Sequence, residues 1–120
     1  MSYTPNTVVI SGYRVLRKLW RIGFDYCENN YQADPNIPED WEDLFIDMDY
    51  NYHNANETFF GAIIHKSSAD SPTAEFDLIL ADSNTISSII ETFHYIFDKI
   101  YENEKIPLPT YSKYLGVKWY

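Results

Sequence analysis

At 120 residues, the chain has the length of one domain and can bury a core without a disulfide or structural metal. A net charge of −9 repels nucleic acid and anionic lipid at long range, which argues against a plain nucleic-acid binder and for a basic partner. Its single cysteine, Cys27, cannot form an internal disulfide, and no apolar run approaches the roughly 20 residues that cross a bilayer.

Hydrophobic residues make up 45% of the chain and aromatics 18%, so the expected core is rich in rings whose polar tips reach the surface. Residues Met1 to Asn6 lack the basic and apolar regions of a signal peptide. The expectation is one soluble, cytoplasmic domain over residues 1–120, with no direct contact to nucleic acid or membrane.

Thr7 to Ile10 is a short β-branched run that suits either a strand or a lead into a helix. Ser11 is a candidate N-cap. From Tyr13 the spacing is helical: Arg14, Arg17, Lys18, Arg21, Asp25 and Glu28 fall on one stripe. Val15, Leu16, Leu19, Trp20, Ile22, Gly23, Tyr26 and Cys27 fill the opposite arc. Asn29-Asn30 ends this helix. Pro35 and Pro38 then impose an irregular connection, with one helical turn possible from Pro38 to Asp43.

Leu44 to Tyr52 changes to period two. Leu44, Ile46, Met48, Tyr50 and Tyr52 face the core; Phe45, Asp47, Asp49, Asn51 and His53 face water. Thr58 to Lys66 is apolar on both faces and reads as an interior strand. Ala74 to Ala81 reads as a third strand, with Phe76, Leu78 and Leu80 inward. Ile86, Ile89, Ile90, Phe93, Ile96, Phe97, Ile100 and Tyr101 then follow helical spacing until near Asn103. The tail from Thr110 carries Tyr111, Tyr114, Leu115, Val117, Trp119 and Tyr120, too aromatic for a free tail. It is expected to dock on the body as an edge strand or to bind a partner.

The resulting expectation is an α+β domain. It has an N-terminal amphipathic helix, a three-stranded antiparallel meander, a C-terminal amphipathic helix and a docked aromatic tail, with both helices on one face of the sheet.

Charge is unevenly distributed. Asp25 to Glu57 holds ten carboxylates and no Lys or Arg, whereas Arg14, Arg17, Lys18 and Arg21 form a basic stripe just before it. The stripe is expected to pair with the acidic segment more than with phosphate. Glu39, Asp40, Trp41, Glu42, Asp43, Phe45, Asp47 and Asp49 form the candidate partner-binding surface. Carboxylates there steer a basic protein, and the aromatics serve as anchors.

Chemistry is sparsely signalled. Gly12, Gly23, Gly61 and Gly116 make no phosphate-cradling loop. His53, His65 and His94 lack the i,i+4 spacing of a zinc motif, and His94 reads as a hydrogen-bonded boundary residue. Cys27 lies on the buried arc, where a thiol behaves as a small hydrophobe. Asp47, Asp49, Asp77 and His53 offer oxygens and a nitrogen for a metal-dependent hydrolase, but a D-x-D pattern is common by chance in an acidic chain. The expectation is a non-enzymatic protein without cofactor or metal.

Two binding functions compete. One is a small acidic inhibitor, of the immunity-protein or phage-inhibitor type, that blocks a basic surface of a nuclease or other nucleic-acid-processing protein. The other is an adaptor or secretion-chaperone-like homodimer that holds a partner segment on exposed apolar surface. Acidity that merely keeps an aromatic-rich protein soluble is the simplest alternative to both.

Overall fold

A computed structural model describes residues 5–48, 57–68 and 83–119. In chain order the elements are β1 (Pro5–Val15), α1 (Arg17–Asn30), the single turn α2 (Trp41–Leu44), β2 (Phe45–Met48), β3 (Glu57–Ser68), α3 (Ser83–Glu104) and β4 (Ser112–Trp119). The strands form one four-stranded sheet in the order β2-β3-β1-β4, and each neighbouring pair is antiparallel. The α+β class expected from the sequence stands.

The N-terminal boundary is corrected. Strand β1 runs through Val15, and the helix starts at Arg17, not Tyr13. Burial alternates here: Tyr13 and Val15 are buried, Arg14 and Leu16 exposed. That period of two is the pattern of a strand with one face on the core. Helical spacing read across Tyr13 to Leu16 because a short window fits both periods. Ser11 is not a cap. It is fully buried inside β1, where its hydroxyl and that of Tyr111 share a hydrogen bond.

The meander is corrected too. β2 and β3 pair as consecutive antiparallel strands, from Phe45↔Phe60 to Met48↔Glu57. The other neighbour of β3 is β1, from Asn6↔Ser68 to Val15↔Thr58. The segment 74–81, read as a third strand, lies outside the described residues. β3 is interior as expected, with Phe59 and Phe60 buried on opposite faces of the sheet. The tail docks as β4 along β1, from Pro5↔Trp119 to Gly12↔Ser112.

Helices α1 and α3 pack on one face of the sheet. Leu19, Trp20, Gly23 and Cys27 of α1 and Ile89, Phe93, Ile96, Phe97 and Tyr101 of α3 are buried. They meet Tyr13, Val15, Phe45 and Phe60 from the strands in one cluster. Its rings stack or meet edge to face. Tyr13 stacks on Phe93 at 3.8 Å, and Phe45 meets Phe60 edge-on at 5.2 Å, arrangements that aromatic quadrupoles favour. The opposite sheet face carries a smaller cluster of Val8, Ile10, Ile46, Met48 and Phe59. Two buried polar side chains find partners across the core: Trp20 Nε1–H donates to the Phe59 carbonyl at 3.1 Å, and the Thr58 hydroxyl to the Val15 carbonyl at 2.6 Å.

Close approaches explain three glycine positions. Gly12 and Gly61 face each other across β1 and β3. A Cβ on either would collide with the backbone of the other strand. Gly23 lets α1 approach the Phe97 ring on α3. Helix α3 ends at Glu104, with Lys105 left-handed at φ 57° and Pro107 beyond, a common way to close a helix.

Candidate functional site

The acidic segment is held out on a framework of apolar anchors. After α1 the chain turns through residues 31–40, and Ile37 and Trp41 are each 4% exposed. Glu39, Asp40, Glu42 and Asp43 surround these anchors and are all exposed. The sequence places acids where the chain leaves the core and apolar residues where it returns. The hydrophobic effect therefore fixes which side chains point outward.

Asp34 secures this loop to both helices. Its Oδ1 accepts the backbone N–H of Asn36 at 3.0 Å. Its Oδ2 accepts the hydroxyls of Tyr95 on α3, at 2.5 Å, and Tyr26 on α1, at 3.0 Å. These donors, Tyr95 foremost, hold the Asp34 carboxyl below its usual range. The same carboxylate pushes the Tyr26 hydroxyl up to about 12. The tyrosine pair was not apparent beforehand, because Tyr26 and Tyr95 are 69 positions apart in the chain.

The two aromatic anchors of the expected surface are corrected. Trp41 is 4% exposed and Phe45 8%. Trp41 packs edge-on against Phe24 at 5.0 Å and Phe45 at 6.0 Å, and Phe45 edge-on against Trp20 at 5.7 Å. They are core residues of the helix-side cluster, so the outward surface is made of carboxylates without them. Phe45 was read as outward because Ile46 and Met48 are also apolar. In fact both faces of β2 are buried, at Phe45 on one side and at Ile46 and Met48 on the other. The i,i+4 spacing of Trp41 and Phe45 was the available signal that they share a side.

Asp47 belongs to a different arrangement. Arg17 donates to it at 2.8 Å. Arg14 pairs with Glu57, Lys18 with Glu104, and Arg21 with Asp25. Every cation of the basic stripe therefore has a carboxylate partner: Arg14, Arg17 and Arg21 pair with the acidic segment as expected, whereas Lys18 pairs with Glu104 of α3, outside it. Among the described residues, Glu39, Asp40, Glu42 and Asp43 have no cation within 4.0 Å. Asp49 lies outside the described residues.

Asp40, Glu42 and Asp43, but not Glu39, border a cleft of about 830 Å³. Asp40, Glu42 and Asp43 form one wall, and Asn84 and Ser88 of α3 the other. Between them lie Gly61, Ala62 and Ile63 of β3. Ile63 is 37% exposed. Sequence reasoning missed the α3 wall and the β3 floor, since the cleft exists only because β2 is four residues long and β3 continues past its end.

Of the residues considered for a metal, His53, Asp49 and Asp77 lie outside the described residues, and Asp47 is engaged by Arg17. Among the described residues no group of three or more His, Cys, Asp or Glu side chains is placed to hold a metal ion. His94 is a hydrogen-bonded boundary residue as expected, its Nδ1 lying 2.7 Å from Asp98 Oδ1. Burial pushes the Cys27 thiol up to about 12, which keeps it protonated and unreactive. No helix among the described residues is long and apolar enough to cross a membrane. Comparison with protein-family models, curated proteins and solved structures finds no match.

Proposed function

We propose that this chain is a small acidic inhibitor that occupies a basic surface of a nucleic-acid-processing protein, acting by binding and not by catalysis. One observation carries the reading: Glu39, Asp40, Glu42 and Asp43 are exposed together with no cation within 4.0 Å among the described residues, while the chain's basic stripe pairs with other acids. Unpaired carboxylates on a short, anchored segment give a concentrated negative field, and that field speeds encounter with a basic cleft. The apolar floor of the adjoining cleft supplies contact area once the charges have docked.

The test is capture from an extract of the native host, with the bound protein identified by mass spectrometry and association measured against salt. The captured protein should carry a basic nucleic-acid cleft, and association should slow as ionic strength rises. The combined variant Asp40→Lys, Glu42→Lys and Asp43→Lys should lose capture while melting like the native chain. Unchanged capture by that variant would remove the reading.

A dimeric adaptor is the second reading, supported by Leu115 of edge strand β4, which is 72% exposed. Light scattering separates the two: a stable dimer supports the adaptor, a monomer the inhibitor.

A further inference from the structure

We propose that a groove at the C-terminal end of α3 takes an arginine side chain presented on an apolar peptide segment of a partner protein. The groove holds about 580 Å³. It is lined by His94, Asp98, Tyr101 and Glu102 of α3 and by Ile106 and Leu108 of the segment that follows. It is separate from the cleft beside α2, which meets α3 between Asn84 and Ile89, and does not depend on the acidic-segment reading.

The two sides of the groove differ in chemistry. His94, Asp98 and Glu102 are spaced i,i+4 and form one polar ridge along α3. Opposite them, Lys105 turns the chain out of the helix at φ 57°, and Pro107 and Pro109 follow. Each proline fixes its own φ and keeps the residue before it extended, here Ile106 and Leu108. Ile106 packs on the helix-side core, whereas Leu108 is 45% exposed. A leucine held in water on a stiffened segment is a preformed contact, because little entropy is lost when a ligand covers it.

The charges choose the occupant. Asp98 and Glu102 are exposed, and His94 Nδ1 lies 2.7 Å from Asp98 Oδ1. Among the described residues neither carboxylate has a Lys or Arg within 4.0 Å, and Glu104 is already paired with Lys18. The last turn of α3 has no basic residue, so Glu102 sits unpaired towards the negative end of the helix dipole, where a cation is favoured. An arginine fits both sides. Its stem covers Leu108, and its guanidinium reaches carboxylates one helical turn apart. Apolar neighbours in the same peptide extend the contact over Leu108.

The probe is a synthetic peptide, Ala-Leu-Arg-Leu-Ala with blocked ends, titrated near neutral pH. Binding should shift the resonances of His94, Glu102 and Leu108. Replacing the arginine with citrulline, its neutral isostere, should weaken binding by about tenfold. The combined variant Asp98→Asn and Glu102→Gln should show a similar loss while melting like the native chain, and Leu108→Ala a loss of about fivefold. No binding at millimolar peptide overturns the proposal. Equal affinity for the citrulline peptide, measured on the native chain, also overturns it, as does unchanged affinity in either variant. Shifts confined to Asp40 through Asp43 place the arginine on the acidic segment and overturn the groove. A dimer that shifts Leu108 without peptide assigns the groove to a second copy and overturns it too.

Discussion

Arg17, in the first turn of α1, holds Asp47 of β2 at 2.8 Å. The pair ties the start of the helix to the short edge strand and places a cation at the inner margin of the acidic surface. Both side chains are partly exposed, at 47% and 36%, so solvent screens the interaction. A double-mutant cycle on Arg17→Ala and Asp47→Ala is expected to give a coupling of about 0.2–1 kcal/mol, falling as salt rises. Urea denaturation at low and high ionic strength measures it.

The facing glycines are expected to be far less tolerant. Ala at Gly12 or Gly61 places a methyl against the backbone of the opposite strand, and backbone cannot rotate away. Either substitution should destabilise the domain by about 1–3 kcal/mol, despite the entropic gain that Ala normally brings over Gly. Thermal melting of Gly12→Ala and Gly61→Ala provides the check. A melting temperature equal to or above that of the native chain would contradict the close approach.

Asp34 makes the loop sensitive to acid. Its carboxyl is held below the usual 3.8, chiefly by the Tyr95 hydroxyl and then by the Asn36 N–H. A carboxyl with a lowered folded-state pKa binds protons more readily in the unfolded chain. Its stabilising contribution is therefore complete above about pH 4, the unfolded value, and disappears as pH falls through the lowered folded value. The stability difference between the native chain and Asp34→Asn should be largest near neutrality and shrink towards pH 2. Denaturation at a series of pH values measures that difference. A gap that stays constant across the range would show that the tyrosine bonds do not depend on the charge.

Trp41 is expected to behave as core and not as a partner contact. Trp41→Ala should cost about 3–5 kcal/mol of stability, because the indole packs on Phe24 and Phe45 with 4% of its surface exposed. Asp43→Ala, two residues on and exposed, should change stability by less than about 0.5 kcal/mol. Urea denaturation of the two variants compares them directly. Similar small losses would place Trp41 on the surface.

By itself the sequence determined the long C-terminal helix, the interior strand β3, the burial of Cys27 and the pairing of the stripe's three arginines with the acidic segment. Each depends on a periodic apolar pattern or on charge balance, and both are local or additive properties of the chain. Tertiary structure alone decided the rest. Tyr13 and Val15 fit helix and strand spacing alike until pairing with Phe60 and Thr58 selected the strand. Trp41 and Phe45 turned inward because the rings of Phe24 and Trp20 were there to receive them. The cleft joins residues from α2, β3 and α3, and it is set by where β2 stops pairing. No stretch of sequence encodes that site, because its geometry is the gap left when strands of unequal length lie side by side.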